Sequence, residues 1–264
     1  MIDFDQIEGW SPQLKEALSP PVTDLILSSI QRANQKYVED PRELLFDLAG
    51  REDVIGATLE WLRSSTIAGY HGTRLTDQEV CSVREKGLLP LDASARRARL
   101  VRALSQHSNW NTAALRLDAV LREHGPDNRA GRREGQAHLT LSRAALVNSF
   151  NHYLTHGSEF DQHAAYALLG DDGTTLLARD GKRTVIQFAV PGQEALNASH
   201  PNFSIEDLRA RGEVPNIASE FLTAWIYQVA YPGFDPRTLK VDCGMVFRSG
   251  VPAAWITNIE TLAD

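Results

Sequence analysis

His71 stands between Tyr70 and the run Gly72-Thr73-Arg74, so an imidazole, a residue without a Cβ, a hydroxyl and a guanidinium follow one another. Histidine supplies a hydrogen-bond donor, glycine lets a ligand approach backbone N–H and C=O groups, and the threonine hydroxyl helps fix a pose. A second concentration is His152-Tyr153-Leu154-Thr155-His156. Its imidazoles fall at i and i+4 on one helix face, the spacing of a zinc pair, with Glu159 or His163 as a third ligand. The glutamate that follows the first histidine in the metalloprotease motif is absent. Ser158 lacks the Gly-x-Ser-x-Gly surroundings of a nucleophile elbow. Neither a Walker loop nor a glycine-rich dinucleotide fingerprint occurs.

The elements that must position these residues are mixed. Residues 1–65 read as helices, with an apolar stripe at Val22, Leu25, Ile26 and Ile30, a start at Asp40-Pro41 and a stop at Gly50. STIAGYHGTRL reads as a strand running into a loop. Thr76 and Glu79 form a capping box that opens the next helix, and Gly87 closes it. Residues 92–135 are helical and arginine-rich, with a polar break at GPDNRAGRREG. HLTLS is a second short strand, and residues 143–169 make one or two helices broken near HGSE. A hairpin is predicted next, with turns at Asp171-Asp172-Gly173 and Arg179-Asp180-Gly181 and TVIQFAV as a buried strand. Residues 204–212 and 217–230 are helical, TLKVDCGMVF is the last clear strand, and VPAAWITNIETL closes the chain. Strands interleave with helices without regular βαβ spacing, which predicts an α+β fold.

Composition narrows the setting. The 264 residues (29.3 kDa) are 42% hydrophobic and 23% charged, enough to bury a core and unlike a disordered chain. No apolar run approaches the length of a membrane span, and the acidic start MIDFDQIEGW is unlike a secretion signal. Cys81 and Cys243 are too few for a disulfide framework or a cysteine-based zinc site, so a cytoplasmic protein with reduced thiols is expected. The net charge of −7 gives no general attraction to nucleic acid. Residues 92–137, however, hold nine Arg against five Asp or Glu, an excess of four positive charges that could meet a phosphate backbone or simply form a solvated helix face.

Tyr70-His71-Gly72-Thr73-Arg74, the helix after it and Gly87-Leu88-Leu89-Pro90 together resemble the opening of the ADP-ribosyltransferase fold of the diphtheria-toxin and poly(ADP-ribose) polymerase type. There a strand ends in His-Gly-Thr or His-Gly-Ser, and the following helix ends in Gly-Leu-x-Pro or similar. HLTLS, TVIQFAVPG and the terminal VPAAWI stand in matching order. The resemblance covers about residues 66–260, with an unusual helical insertion at 92–137. It implies a split β-sheet core over residues 66–264, preceded by a helical N-terminal subdomain over 1–65.

That resemblance also implies a chemistry. NAD would be the substrate, held by His71, Gly72, Thr73, Arg74 and Ser142, with Tyr153 stacking on the nicotinamide and Tyr166 as its alternative. Cleaving the nicotinamide–ribose bond passes through a cation-like sugar, which a carboxylate stabilises more in the transition state than in the ground state. Glu220 is the first choice for that group, with Asp242 and Glu159 behind it, because no glutamate stands near Cys243-Gly244 where the family's would be. The implied activity is mono-ADP-ribosylation of a protein or nucleic-acid acceptor, in the manner of a bacterial toxin or phage-defence effector, with an antitoxin or inhibitor protein as a further partner. The rival expectations are a catalytically inactive transferase-like binding protein and a His-ligated metalloenzyme.

Overall fold

The computed structural model describes every residue except Asn34, Leu91, residues 125–134, Pro201, Asp242 and Asp264. The break expected at GPDNRAGRREG therefore lies almost wholly outside the described residues, as does Asp242.

Amphipathic spacing and local caps build the first four helices: α1 (Ile7–Ala17), α2 (Asp24–Arg32), α3 (Asp40–Ala49) and α4 (Arg51–Arg63). The Thr23 hydroxyl accepts from the Ile26 amide at the start of α2. Gly50, at φ 86°, takes the left-handed turn that ends α3 and starts α4. Strand β1 (Thr66–Leu75) follows, then α5 (Asp77–Lys86), α6 (Ala93–Leu104), α7 (Trp110–Ala114) and α8 (Leu117–Glu123). Strand β2 (Ala137–Thr140) leads to α9 (Arg143–Asn148), α10 (His152–His156) and α11 (Glu159–Arg179). After β3 (Lys182–Pro191) come α12 (Gly192–Asn197), α13 (Ile205–Ala210), α14 (Asn216–Ala230), β4 (Gly244–Phe247) and β5 (Ile256–Thr261). The five strands hydrogen-bond in the order β4-β2-β1-β3-β5, so the histidine-bearing strand is central. The chain is a mixed α+β protein.

Two compact units divide it. The first comprises residues 1–69, 139–145 and 189–246. Its centre is aromatic: Phe4, Trp10, Trp61 and Phe221 pack with ring centroids 5.0–6.3 Å apart, mostly edge to face. Each of these rings contributes roughly 1.5–3 kcal/mol through burial. The second unit comprises residues 70–138, 146–188 and 247–264. There α6, α7 and α8 pack on α11 through Leu100, Leu104, Ala113, Leu117, Ala164 and Leu168.

Two expectations from the sequence fail here. Asp171-Asp172-Gly173 is not a hairpin turn; α11 runs through it, kinked at Gly170 (φ 62°, ψ −143°). Gly173 has no Cβ, so the Ala165 carbonyl lies against its Cα and the helix continues past the kink. Only Arg179-Asp180-Gly181 is a turn, with Gly181 at φ 80°. The last strand is also not TLKVDCGMVF. That segment is extended in β4 only from Gly244, and the polar ITNIET forms β5, which pairs antiparallel with β3 from Thr184↔Thr261 to Phe188↔Ile256. A solvated edge strand needs no alternation of apolar residues, so its sequence carried no strand signal.

Candidate active site

His71 lies within β1, part-buried, and its Nδ1 is 2.8 Å from the carbonyl oxygen of His138 at the start of β2. Burial pushes its imidazole below the ordinary histidine range, opposed in part by that hydrogen bond. The folded chain thus binds fewer protons here than the unfolded chain, whose histidine titrates near about 6.5. Stability is accordingly complete above that pH, and is lost as the pH falls from about 6.5 toward the lowered folded value, by up to about 1.4 kcal/mol per pH unit from this one group. Urea denaturation followed from neutral to mildly acid pH should show that decline, and His71→Asn should flatten it. An equal slope in wild type and variant would count against a neutral, buried His71.

Gly72 is buried, and a Cβ there would come within 2.8 Å of Leu146 Cδ1. The missing side chain therefore serves close packing in this unit, whatever approaches its backbone. Arg74 is buried and acts as a clamp. Its Nη1 donates to the Leu154 carbonyl (3.4 Å) on α10, and its Nη2 donates to the Gly181 carbonyl (2.7 Å) before β3. It thereby ties the end of β1 to the helix carrying Tyr153. Tyr153 is half-buried with its ring 4.0 Å, centroid to centroid, from that of His152. Tyr166 is instead 59% exposed on α11, so it is not the core residue that the apolar run around it suggests.

At the end of α10, Arg99 Nη2 donates to the His156 carbonyl (2.9 Å), and Gly157, at φ 76°, leaves room for that guanidinium. Burial, and then the charges of Arg74, His152 and Arg99, hold His156 below the usual histidine range. The two other segments of the resemblance also meet in this unit. Leu88 and Val251 form an antiparallel bridge, Leu88 N to Val251 O at 2.9 Å and Val251 N to Leu88 O at 2.8 Å.

The remaining predicted residues have other surroundings. Ser142 is fully buried; its hydroxyl donates to Asp5 Oδ1 (2.7 Å) and accepts from the Ala145 amide (3.0 Å), which caps α9. Asp5 Oδ2 also accepts from the Ala144 amide (2.8 Å). Glu220 sits on α14 in the first unit, near Arg42 and Glu39. Burial raises its carboxyl above the usual range, Arg42 opposes that, and Glu39 adds to it. Arg42 donates to the hydroxyls of Ser219 and Thr223 on the same helix. Glu159 opens α11, and Asp242 lies outside the described residues.

Four arginines of the insertion, Arg96, Arg97, Arg99 and Arg102, are drawn into ion pairs, which the sequence did not reveal. Arg96 and Asp161 are each 3% exposed and meet at 2.8 Å, and Arg99 reaches the other Asp161 oxygen at 3.3 Å. Arg102 bridges Asp180 (2.7 Å) and Glu79 (3.0 Å), Arg97 pairs with Asp118, and Arg116 donates to the Ala167 carbonyl. Only a helical repeat that aligns Arg96, Arg99 and Arg102 on one side hinted that these belong to a single network.

Among the described residues no group of three or more His, Cys, Asp or Glu is placed to hold a metal ion, so His152, His156, Glu159 and His163 do not form the cluster a zinc enzyme needs. No helix among the described residues is long and apolar enough to cross a membrane. Two surface hollows of about 610 and 380 Å³ belong to the first unit, the larger beside Trp225, Lys15 and Gln31 and the smaller beside Asp5, Glu8 and Arg237. Neither is lined by His71, Tyr153 or Glu220. Comparison with family models, curated proteins and solved structures found no match to this chain.

Proposed function

We propose that this chain is an NAD-dependent mono-ADP-ribosyltransferase built on the transferase-like split sheet. The observation that carries the reading is His71 on the central strand, part-buried, followed by Gly72 and Thr73, with its ring oriented by the His138 backbone. Two further observations support it. Arg74 anchors the helix of Tyr153 to the same strand, and the Gly87-Leu88 and Val251-Pro252 segments pair. In this reading His71 and Thr73 orient the ribose, Tyr153 stacks on the nicotinamide, and a carboxylate stabilises the cation-like sugar. Glu220 remains the first candidate for the carboxylate, with Asp242 and Glu159 as alternatives. The acceptor is a macromolecule. Internal pairing of Arg96, Arg97, Arg99 and Arg102 weakens the charge argument for nucleic acid, so protein acceptors are the first to assay.

Purified protein should release nicotinamide from NAD, and His71→Ala should lower that release by about a hundredfold, the scale of one lost polar contact in a transition state. Glu220→Gln, Asp242→Asn and Glu159→Gln identify the carboxylate as the one whose loss abolishes release without unfolding the protein. A second reading, a transferase-like domain used only for binding, is favoured by the internal hydrogen bonds of the Ser142 hydroxyl and by the setting of Glu220 against Arg42 and Glu39. Absence of both nicotinamide release and NAD binding by calorimetry decides for it.

A further inference from the structure

We propose that the two hollows of the first unit form one trough that docks an extended protein segment carrying basic side chains beside apolar ones. This does not rest on the transferase reading, because every residue lining the trough belongs to the first unit, and His71 and Tyr153 belong to the second.

Gln228 and Pro232 line both hollows, so the two adjoin at the C-terminal end of α14. They differ in character. The larger, about 610 Å³, is lined by the apolar Pro12, Leu27, Trp225 and Val229, and its charges cancel, since Lys15 on α1 and Asp24 on α2 pair at 3.0 Å. Gln31 donates to the Val229 carbonyl (3.1 Å) and ties α2 to α14 beside it. The smaller, about 380 Å³, sets three carboxylates, Asp5, Glu8 and Asp235, against the single guanidinium of Arg237. Arg237 is engaged by Asp235, with Nε 2.9 Å from Oδ1 and Nη2 2.7 Å from Oδ2, so two negative charges are left over. One of them is fixed in place, because the Ser142 hydroxyl and the Ala144 amide both donate to Asp5. The N-terminus of α1 contributes about half a positive charge. The C-terminus of α14, with no basic residue in its last turn, contributes about half a negative one, so the helix ends offset each other. Arg237 senses the remaining field. Its guanidinium is held above its usual range first by Asp235, and the charges of Glu8 and Asp5 add to that. A second cation is therefore favoured in the smaller hollow. An extended chain places successive side chains about 3.3 Å apart, so one segment can set an apolar group against Val229 and a lysine or arginine near Glu8. The net charge of −7 steers a basic partner toward the protein, and the small footprint suits a transient contact.

The test is amide NMR on the full-length protein, titrated with the end-capped peptide Leu-Leu-Gly-Lys-Arg-Gly-Leu-Leu. Its basic centre is flanked by leucines on both sides, so either chain direction meets the trough. Saturable shifts are expected at the amides of Gln228, Val229, Gly233 and Asp235, with affinity falling as salt is added. Glu8 is exposed, so Glu8→Lys should fold with an unchanged thermal midpoint and bind about tenfold more weakly, and Glu8→Gln should fall between it and the wild type. Equal binding of the counterpart peptide with Glu-Glu at its centre, or no shift at these amides, overturns the proposal. Unchanged affinity after serines replace the leucines overturns the apolar half of the trough. The same shifts from free arginine amide at equal concentration mean a small-cation site and overturn the peptide assignment. A dimer in sedimentation that Glu8→Lys abolishes means that a second copy fills the trough, and overturns it as well.

Discussion

Asp161→Asn is expected to destabilise the protein by about 3–5 kcal/mol, the usual cost of removing one partner of a buried ion pair. Asp161 is the acidic centre for two guanidiniums, Arg96 at 2.8 Å and Arg99 at 3.3 Å, and neither it nor Arg96 is exposed to water. The variant leaves the Arg96 charge buried without a counter-ion, its remaining contacts being the His124 carbonyl at 3.3 Å and the Phe160 ring. Asp161 also lies in the first turn of α11, where a negative charge is favoured by the helix dipole. Urea denaturation of Asp161→Asn and of the double variant Arg96→Met/Asp161→Leu separates the terms. The double variant should recover most of the loss, because no unpaired charge from that pair stays buried. A loss of well under 1 kcal/mol in the single variant would mean that water reaches the pair.

Gly87→Ala should cost about 3 kcal/mol or more, and it probes the junction that pairs two segments of the transferase resemblance. Gly87 has φ 82° and ψ −171°, a region essentially reserved for glycine, where other residues cost about 1–3 kcal/mol. A Cβ would in addition overlap the Val251 carbonyl oxygen and press on the backbone of Pro252 and Ala253. These are backbone atoms fixed by the Leu88–Val251 bridge, so they cannot move aside as a side-chain tip would. The thermal midpoint should fall, and nicotinamide release should fall with it at temperatures where the variant is partly unfolded. Gly212→Ala is the control: Gly212 also has positive φ, at 72°, but a Cβ there meets nothing within 4 Å. Equal losses in both variants would assign the whole effect to backbone conformation and none to the junction.

Much of the local structure was legible. The Thr76–Glu79 capping box forms as read, with the Glu79 amide donating to the Thr76 hydroxyl (3.2 Å) and the Thr76 amide donating to Glu79 Oε2 (2.8 Å). Gly50 and Gly87 end their helices with positive φ. Such signals involve residues within one turn of each other, so a linear sequence contains all their parts. The kink at Gly170 and strand β5 were not legible for the opposite reason. One depends on how closely the Ala165 carbonyl, from before the kink, can approach Gly173, and the other depends on an exposed edge of β3 to which polar residues can pair.

At the site, the residue types of His71, Gly72, Thr73 and Arg74 and their placement on a strand come from the sequence alone, because they are consecutive. What each side chain does was decided only by tertiary structure. Arg74 became a clamp on two carbonyls because α10 and the turn before β3 converge on it. The Ser142 hydroxyl is engaged by Asp5, from 137 residues away, and His71 owes its orientation to His138, 67 residues distant. The basic insertion read as a surface charge, yet Arg96 is buried because an acid 65 residues later folds onto it. Composition counts charges, but burial and pairing are properties of distance in space, which chain separation does not fix.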